Sequence, residues 1–274
     1  MQSFINKCRN YIKKVYEISR KPVVSVLPGH LSFFLLLSII PILLLIAIIS
    51  NTFSISFNKL FDFVILSMPA NTSELLEPLF NFSYTGFGVF IIIISAIFLA
   101  SRGTKAIIIT ANNIYNVKKR TLQDILKSLL LTIILLLFFI FLIIILILGE
   151  KIISLILQVS PNGFITSNLV NLINILKWPA SLVIMFFILK IIYSLSPNKK
   201  LHKGSVNKGS VFSTIMILLF TYLYSFYVTN YASYDDIYGT ASSIIILLLW
   251  IYSISQIFVY GMIINSIEEN KIKE

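Results

Sequence analysis

The sequence predicts an all-α membrane protein whose helices cross the bilayer several times. Hydrophobic residues make up 57% of its 274 positions and charged residues only 12%, whereas a soluble domain of this length needs far more polar surface. Apolar runs of about 20 residues are long enough to cross a bilayer as helices, which pair every backbone N–H and C=O internally. Six such runs predict six transmembrane helices, at about 31–50, 86–102, 125–149, 178–196, 211–231 and 240–266.

The positions of the basic residues predict how these helices are oriented. The formal net charge is +11, from 22 Lys and Arg against 11 Asp and Glu. All of the basic residues except Lys59, Lys151 and Lys177 lie in the N-terminal segment, around the second and fourth connections, or in the C-terminal tail. Because basic connections stay on the cytoplasmic side, both termini are predicted to lie in the cytoplasm. The protein is thus predicted to be a multi-pass protein of the cytoplasmic membrane. The charge is therefore interpreted as a topology signal, and no nucleic-acid partner is expected.

The chain divides into a basic segment (1–29), a six-helix transmembrane domain (30–266) and a short cytoplasmic tail (267–274). Within the first segment, apolar residues recur at helical spacing between lysines and arginines: Phe4, Cys8, Tyr11, Ile12 and Val15. This pattern predicts a basic amphipathic helix that either lies on the inner leaflet or packs against the cytoplasmic ends of the bundle. No small-residue cleavage pattern follows the first apolar run, so this run is predicted to be a retained helix.

The external connections also carry structural signals. Amphipathic interfacial helices are predicted in 51–85 and 150–177, which are too apolar for disordered loops. The last external connection contains Asp235 and Asp236, followed by Tyr238 and Gly239. This pattern predicts a tight turn at the start of the last helix, because glycine supplies the backbone freedom that is needed where the chain reverses.

Polar residues within the first helix form the first part of a predicted substrate path. His30, Ser38 and Pro41 fall near one face of that helix. Pro41 removes a backbone donor and is predicted to kink the helix, a feature found in transport cavities and also in helices without a gating role. His30 lies near a membrane end, where proton handling is one interpretation and a structural role is the other.

The second helix contributes a charged residue to the same path. Gly88, Ser95 and Arg102 are each seven residues apart, and a longer helix brings Asn113 onto the same face. A charged residue near the membrane boundary usually faces protein or water, so Arg102 is predicted to face the bundle interior. There it would bind an anionic substrate or close a polar network. The alternative is that its side chain reaches the lipid phosphates of the inner leaflet.

The last two predicted helices carry polar stripes. These consist of Thr221, Tyr224, Ser225 and Tyr227 in the fifth helix and of Tyr252, Gln256 and Tyr260 in the sixth. A polar stripe in lipid must meet another polar surface or water, so the stripes predict either interhelical hydrogen bonds or a path through the bundle. The stripe of the sixth helix is predicted to face inward. By contrast, the third helix contains Thr132 as its internal polar residue and is predicted to face lipid.

The sequence lacks the patterns of common catalytic and metal sites. No HExxH, P-loop or GxSxG motif occurs, and no cluster of His, Asp and Glu stands out beyond Asp235 and Asp236. Adjacent aspartates can bind a cation, but in an external turn they more often serve only to keep the turn hydrated. Cys8 is the one cysteine, so neither an intramolecular disulfide nor a thiolate cluster can form. The protein is therefore not expected to be an enzyme, and neither a cofactor nor a metal ion is expected.

Three segments resemble the YihY/BrkB family of bacterial inner-membrane proteins. They are GHLSFFLLLSIIP in the first helix, ASRGTKAIIITANNIY in the second, and YGTASSIIILLLWIYSISQIFVYGMIIN in the last. The resemblance covers nearly the whole chain and implies a polytopic membrane protein with envelope, lipid or solute transport roles. Some members carry a ribonuclease label, which this sequence does not support because it offers no nuclease metal site. The family often has an acidic residue two positions after the last-helix glycine, where this chain has Ile263 after Gly261.

Together these features favour a transporter that moves a lipid or other amphiphile across the cytoplasmic membrane. Its expected partners are membrane lipids, and the oligomeric state is left open. An ion or small-solute exporter would use the same polar stripes to line its path. A scaffold or assembly factor without transport activity would use them for packing alone.

Overall fold

The computed structural model describes residues 2–52, 88–118, 121–138, 141, 163–202, 204–230 and 238–273. These residues form helices and turns, with no β-strand among them, so the all-α prediction is confirmed. The helices are α1 (Gln2–Ser19), α2 (Pro22–Ser25), α3 (Leu27–Thr52), α4 (Gly88–Ile114), α5 (Thr121–Phe138), α6 (Gly163–Leu195), α7 (Asn207–Asn230) and α8 (Ser242–Lys273).

The long helices match the predicted membrane-spanning regions. Five described helices are long and apolar enough to cross a bilayer, and Pro179–Leu195 in α6 is a shorter apolar segment. Residues 53–87 and 142–162, which hold most of the predicted interfacial helices, lie outside the described residues. Residues 163–177, where a separate short helix is predicted, are helical as the first part of α6.

One end of the helix bundle collects the basic segments. The Tyr11 hydroxyl of α1 donates to the Ile264 carbonyl of α8 at 3.5 Å, and Asn112 in α4 donates to Asp124 in α5. The His202 backbone N–H, between α6 and α7, donates to Glu269 of α8. We call this end of the bundle the basic end. The segments that the charge pattern assigns to one side of the membrane therefore do lie together.

Two helices continue beyond the points at which the apolar runs end. α4 passes Arg102 and ends at Ile114, because Ala106, Ile108 and Ala111 continue its buried face toward the basic end. α8 continues to Lys273, so most of the predicted tail is helical. The charge of Arg102 does not end α4, because packing along the buried face stabilises the helix.

Close helix pairs depend on small residues. Gly103 of α4 lies against Ser38 of α3, where a Cβ on the glycine would collide with the Ser38 hydroxyl. Gly209 of α7 and Gly261 of α8 face each other so closely that a Cβ on Gly209 would collide with the Gly261 carbonyl. Small residues at such crossings let two backbones approach within van der Waals distance, which is the main source of helix association in lipid.

α5 is joined to α4 by hydroxyl groups. The Thr104 and Thr132 hydroxyl oxygens lie 2.8 Å apart, and the Thr104 hydroxyl also donates to the Ser128 carbonyl at 2.9 Å. The opposite side of α5 exposes Leu130 and Leu137. One side of this helix is therefore exposed and apolar, as the prediction that it faces lipid requires, while Thr132 lies on the buried side.

Glycine shapes the start of α8. Gly239 has a φ of +53° and opens the 3-10 turn Gly239–Ala241 that leads into Ser242. This left-handed conformation favours glycine over residues with a Cβ. The predicted tight start at Tyr238-Gly239 is confirmed, whereas Asp235 and Asp236 lie outside the described residues.

Candidate functional site

The predicted path residues of α3 lie inside the bundle. Ser38 and Pro41 are buried, and α3 continues through Pro41 to Thr52. The Ser38 hydroxyl donates to the Leu35 carbonyl at 2.8 Å within the same helix. The half-buried His30 ring lies 5.0 Å from the Phe34 ring, at an interplanar angle of 59°. Ser38 thus contributes to the close contact between α3 and α4.

The predicted orientation of Arg102 is wrong. Both Ser95 and Arg102 are exposed on α4, and the Arg102 guanidinium carbon lies 5.1 Å from the centre of the Phe98 ring. The face of α4 that packs against α3 carries Ala96, Ala100 and Gly103 instead. Because neighbouring helix residues point about 100° apart, burial of Gly103 turns Arg102 outward. Asn113, also placed on the predicted face, is half-buried.

The polar groups of α7 and α8 form separate pairwise contacts. The Tyr224 hydroxyl donates to the Ile246 carbonyl at 2.9 Å, and the Trp250 indole N–H donates to the Thr221 hydroxyl at 3.2 Å. The half-buried Ser225 lies on the same helix as Tyr224. These contacts favour packing as the role of this part of the stripe.

The stripe of α8 is only partly inward. Tyr252 is 45% exposed, so its predicted inward orientation is wrong. Gln256 is half-buried, and Tyr260 packs against the main hydrophobic core. Successive residues of a four-residue repeat drift by about 40° around a helix, which is why the three side chains do not share one environment.

A buried polar cluster at the basic end was not predicted. The Asn112 amide donates to Asp124 Oδ1 at 3.2 Å, and its oxygen accepts the backbone N–H of Asn198 at 2.9 Å. The Asn198 amide also donates to Asp124 Oδ1 at 2.5 Å. Lys127 Nζ donates to the carbonyl oxygens of Ser196 and Pro197 at 3.2 and 2.7 Å. These contacts join the α6–α7 connection to both α4 and α5.

The same connection is also joined to α8. The backbone N–H of His202 donates to Glu269 Oε2 at 2.9 Å, and His202 Nδ1 lies 3.0 Å from Glu269 Oε1. Lys199 Nζ lies 4.7 Å from the centre of the Tyr115 ring. Burial raises the pKa of the Tyr115 hydroxyl, and the nearby Glu269 carboxylate raises it further. We call residues 196–202 the clasp, because they contact α4, α5 and α8 at the basic end.

A second buried network joins α6 to α7 and α8. The Tyr193 hydroxyl lies 2.7 Å from the Ser213 hydroxyl and donates to the Phe258 carbonyl at 2.9 Å. The Gly209 backbone N–H donates to Asn265 Oδ1 at 2.7 Å. A side chain at Gly261 would collide with the Ser213 hydroxyl, so this network requires glycine at that position.

Some buried polar atoms in these layers lack a hydrogen-bond partner among the described residues. They are Thr110 Oγ1, Tyr115 OH, Asn207 Oδ1, Ser255 Oγ and Asn265 Nδ2. A buried polar atom without a partner is costly, so such atoms commonly bind water or exchange partners when a structure changes. Three helices, α4, α7 and α8, and the turn after α4 contribute to this set.

Sequence reasoning missed the clasp because the residues that it contacts, such as Asp124 and Glu269, are far from it along the chain. The sequence around Asp124, Asn198 and Glu269 does not distinguish them from ordinary solvent-exposed polar residues. One available signal was the pair of neighbouring amides Asn112-Asn113, of which the first is buried. Among the described residues, no group of three or more His, Cys, Asp and Glu is arranged to hold a metal ion.

The arrangement is that of an integral, multi-pass α-helical membrane protein whose helix ends are tied together by buried polar contacts at one end. The chain belongs to the family described as Virulence factor BrkB, which matches residues 18–274. It is similar to the ribonuclease-like protein YfkH of Bacillus subtilis (strain 168), with 26% identity covering 89% of this chain and 90% of that protein. It is also 28% identical to a UPF0761 membrane protein of Vibrio atlanticus (strain LGP32), covering 84% of this chain and 72% of that protein. No solved structure matches the chain.

Proposed function

We propose that this protein translocates a lipid or other amphiphile with an anionic head group across the cytoplasmic membrane. The observation that carries the proposal is the exposed guanidinium of Arg102, partway along a membrane-spanning helix. An enclosed solute path would place this charge inside the bundle. An exposed position lets the charge reach a molecule that moves along the lipid-facing surface.

The depth of Arg102 follows from its packing neighbour. Gly103 contacts Ser38 of α3, which lies about 16 Å along that helix from Leu27 at roughly 1.5 Å per residue. The hydrocarbon core of a bilayer is about 30 Å thick. Arg102 therefore lies well within the thickness of the membrane if α3 enters the bilayer near Leu27.

A charged side chain at such a depth has a functional role by default, because exposure to acyl chains is costly. Among the described residues, the contact that Arg102 makes is with the aromatic ring of Phe98. A guanidinium binds phosphate oxygens through two parallel N–H donors, which suits a phosphorylated head group. The exposed Ser95, two turns away on the same side of α4, offers a further polar group on this surface.

The proposed orientation places the basic end in the cytoplasm, since basic connections are retained there. The clasp then holds the cytoplasmic ends of α4, α5 and α8 together while the surface around Arg102 stays exposed. No covalent step is needed for this activity, and we propose that the protein is not an enzyme.

The test is lipid translocation in proteoliposomes that contain the purified protein. Fluorescent phosphatidylglycerol in the inner leaflet is expected to become accessible to an external reductant faster than in protein-free vesicles. Arg102→Gln is expected to lower the rate roughly tenfold, the loss of one charge-assisted contact. Arg102→Lys should retain part of the rate, because the charge remains while the planar donor pair is lost.

Lys118→Gln is the matched control, because it removes an exposed basic residue beyond the end of α4. It is expected to translocate lipid at the unaltered rate. Ion or small-solute flux without lipid movement would instead establish an exporter. Inactivity of the folded protein in both assays would favour a scaffold or assembly factor.

A further inference from the structure

The apolar arc of α1 is wider than its contact with the bundle. Tyr11, Val15 and Ile18 pack against the main hydrophobic core, and Lys271 Nζ of α8 lies 4.4 Å from the centre of the Tyr11 ring. Burial at this contact raises the pKa of the Tyr11 hydroxyl, and the Glu268 carboxylate raises it further. α1 is thus docked on the end of α8. This agrees with the predicted arrangement in which the basic helix packs against the end of the bundle.

Two other apolar residues of α1 and two in the segment that follows it remain exposed. Ile12 and Tyr16 lie about one turn apart on α1, and they are 68% and 54% exposed. In α2, Val24 is buried while Val23 is 58% exposed, and Val26, directly after α2, is 63% exposed. Docking on α8 therefore leaves a second set of apolar side chains exposed, in α1 and around α2, which we call the α1–α2 strip.

Basic residues border this strip. Arg9, Ile12, Tyr16 and Arg20 follow one another at three- and four-residue spacing, so they lie on one side of α1. The Arg20 guanidinium carbon lies 4.8 Å from the centre of the Tyr16 ring, and the exposed Lys21 follows directly. Lys13, the next basic neighbour, forms a 3.9 Å ion pair with Glu17. Arg9 thus lies before the apolar strip, and Arg20 and Lys21 lie between its α1 and α2 parts.

We propose that the α1–α2 strip, formed by Ile12, Tyr16, Val23 and Val26 with Arg9, Arg20 and Lys21, binds anionic phospholipid of the leaflet at the basic end. Apolar side chains bordered by arginine and lysine are the arrangement by which interfacial helices bind acyl chains and phosphates together. α2 leads directly into α3 at Leu27, which places the strip at the level where a bilayer begins. The inference is independent of lipid translocation, because it concerns another surface of the protein.

The first test measures insertion of the strip into lipid. A Cys8→Ser background removes the native cysteine, and Ile12→Cys then carries a single environment-sensitive fluorophore in nanodiscs. Nitroxide-labelled lipids are expected to quench this fluorophore strongly. Glu17→Cys is the matched control on the same helix, because Glu17 is exposed and lies five residues, about 140° around α1, from Ile12. It is expected to be quenched weakly. Equal quenching at both positions would overturn the proposal.

The second test measures lipid selectivity of the full-length protein in detergent. Titrated phosphatidylglycerol is expected to bind more tightly than phosphatidylcholine, and Arg9→Gln with Arg20→Gln is expected to weaken its binding by about fivefold per residue removed. A Lys118→Gln variant serves as the charge control and should bind as the unaltered protein does.

Two other results would overturn the assignment. Unchanged phosphatidylglycerol affinity in the double variant would show that the strip does not select anionic lipid. Shielding of the Ile12→Cys fluorophore that depends on protein concentration, without quenching by lipid, would identify a second copy of the chain as the occupant.

Discussion

The buried carboxylate of Glu269 accepts the backbone N–H of His202 at 2.9 Å and lies 3.0 Å from the His202 ring. The glutamate side chain is 0% exposed, whereas the histidine side chain is 49% exposed. One buried acid near the end of α8 thus fixes the connection between α6 and α7. Because Asn198 in the same connection is bonded to Asn112 and Asp124, this contact is part of a layer that spans the bundle.

Glu269→Ala is expected to destabilise the protein more than a surface change does. The substitution removes the acceptor of the part-buried His202 backbone N–H, and an unsatisfied donor costs up to about 1–3 kcal/mol when no other acceptor replaces the lost one. The melting temperature in detergent is the measurement. Glu17→Gln is the control, since its ion pair with Lys13 is exposed and is worth about 0–1 kcal/mol. Equal melting temperatures for the two variants would contradict this role for Glu269.

The neighbouring amides Asn112 and Asn113 are expected to respond differently to alanine. Asn112 is 2% exposed and bonds to both Asp124 and Asn198, so Asn112→Ala should lower stability by about 1–3 kcal/mol. Asn113→Ala, at a half-buried position one residue away, should have the smaller effect. Thermal unfolding of the two variants in one detergent compares them directly, and a larger loss at Asn113 would contradict the assignment.

Glycine-to-alanine substitutions test the crossing of α7 and α8. A methyl group at Gly261 would collide with the Ser213 hydroxyl, and overpacking of this kind typically costs about 1–3 kcal/mol. Gly29→Ala is the matched helical control, because no heavy atom lies within 4 Å of its added Cβ. Alanine there is expected to be neutral or to stabilise α3 by up to about 1 kcal/mol. The melting temperature should therefore fall for Gly261→Ala, whereas for Gly29→Ala it should stay the same or rise.

Cysteine accessibility tests the proposed orientation. In a Cys8→Ser background, Asp236→Cys should react with an impermeant thiol reagent from outside the cell. Lys118→Cys, at the basic end, should react only after the membrane is opened, because basic connections remain in the cytoplasm. Labelling of position 236 from the cytoplasmic side would contradict the predicted topology.

The local features of the structure were predictable because they arise from composition along the chain. Long apolar runs predicted α3, α4 and α8, and the distribution of lysine and arginine predicted which helix ends lie together. Gly239 was predictable because a chain reversal favours a residue without a Cβ. None of these inferences requires knowledge of which helices are neighbours.

The faces of the membrane helices were not predictable in the same way. In a soluble helix the apolar residues identify the buried side, whereas in lipid an apolar residue is stable on either side. The series Gly88, Ser95 and Arg102 therefore gave no reliable orientation for α4. The small residues Ala96, Ala100 and Gly103, which permit close packing, mark the face that is buried.

By itself, the sequence determined the all-α membrane class, the approximate spans and the segments that share one end, because hydropathy and charge act locally. Only the tertiary structure decided that Arg102 is exposed and that Glu269 is buried against His202. The physical reason is that a polar residue in a membrane helix is stable in several environments, provided that a partner is present. The partner is supplied by another part of the chain, so the choice is made when the helices pack.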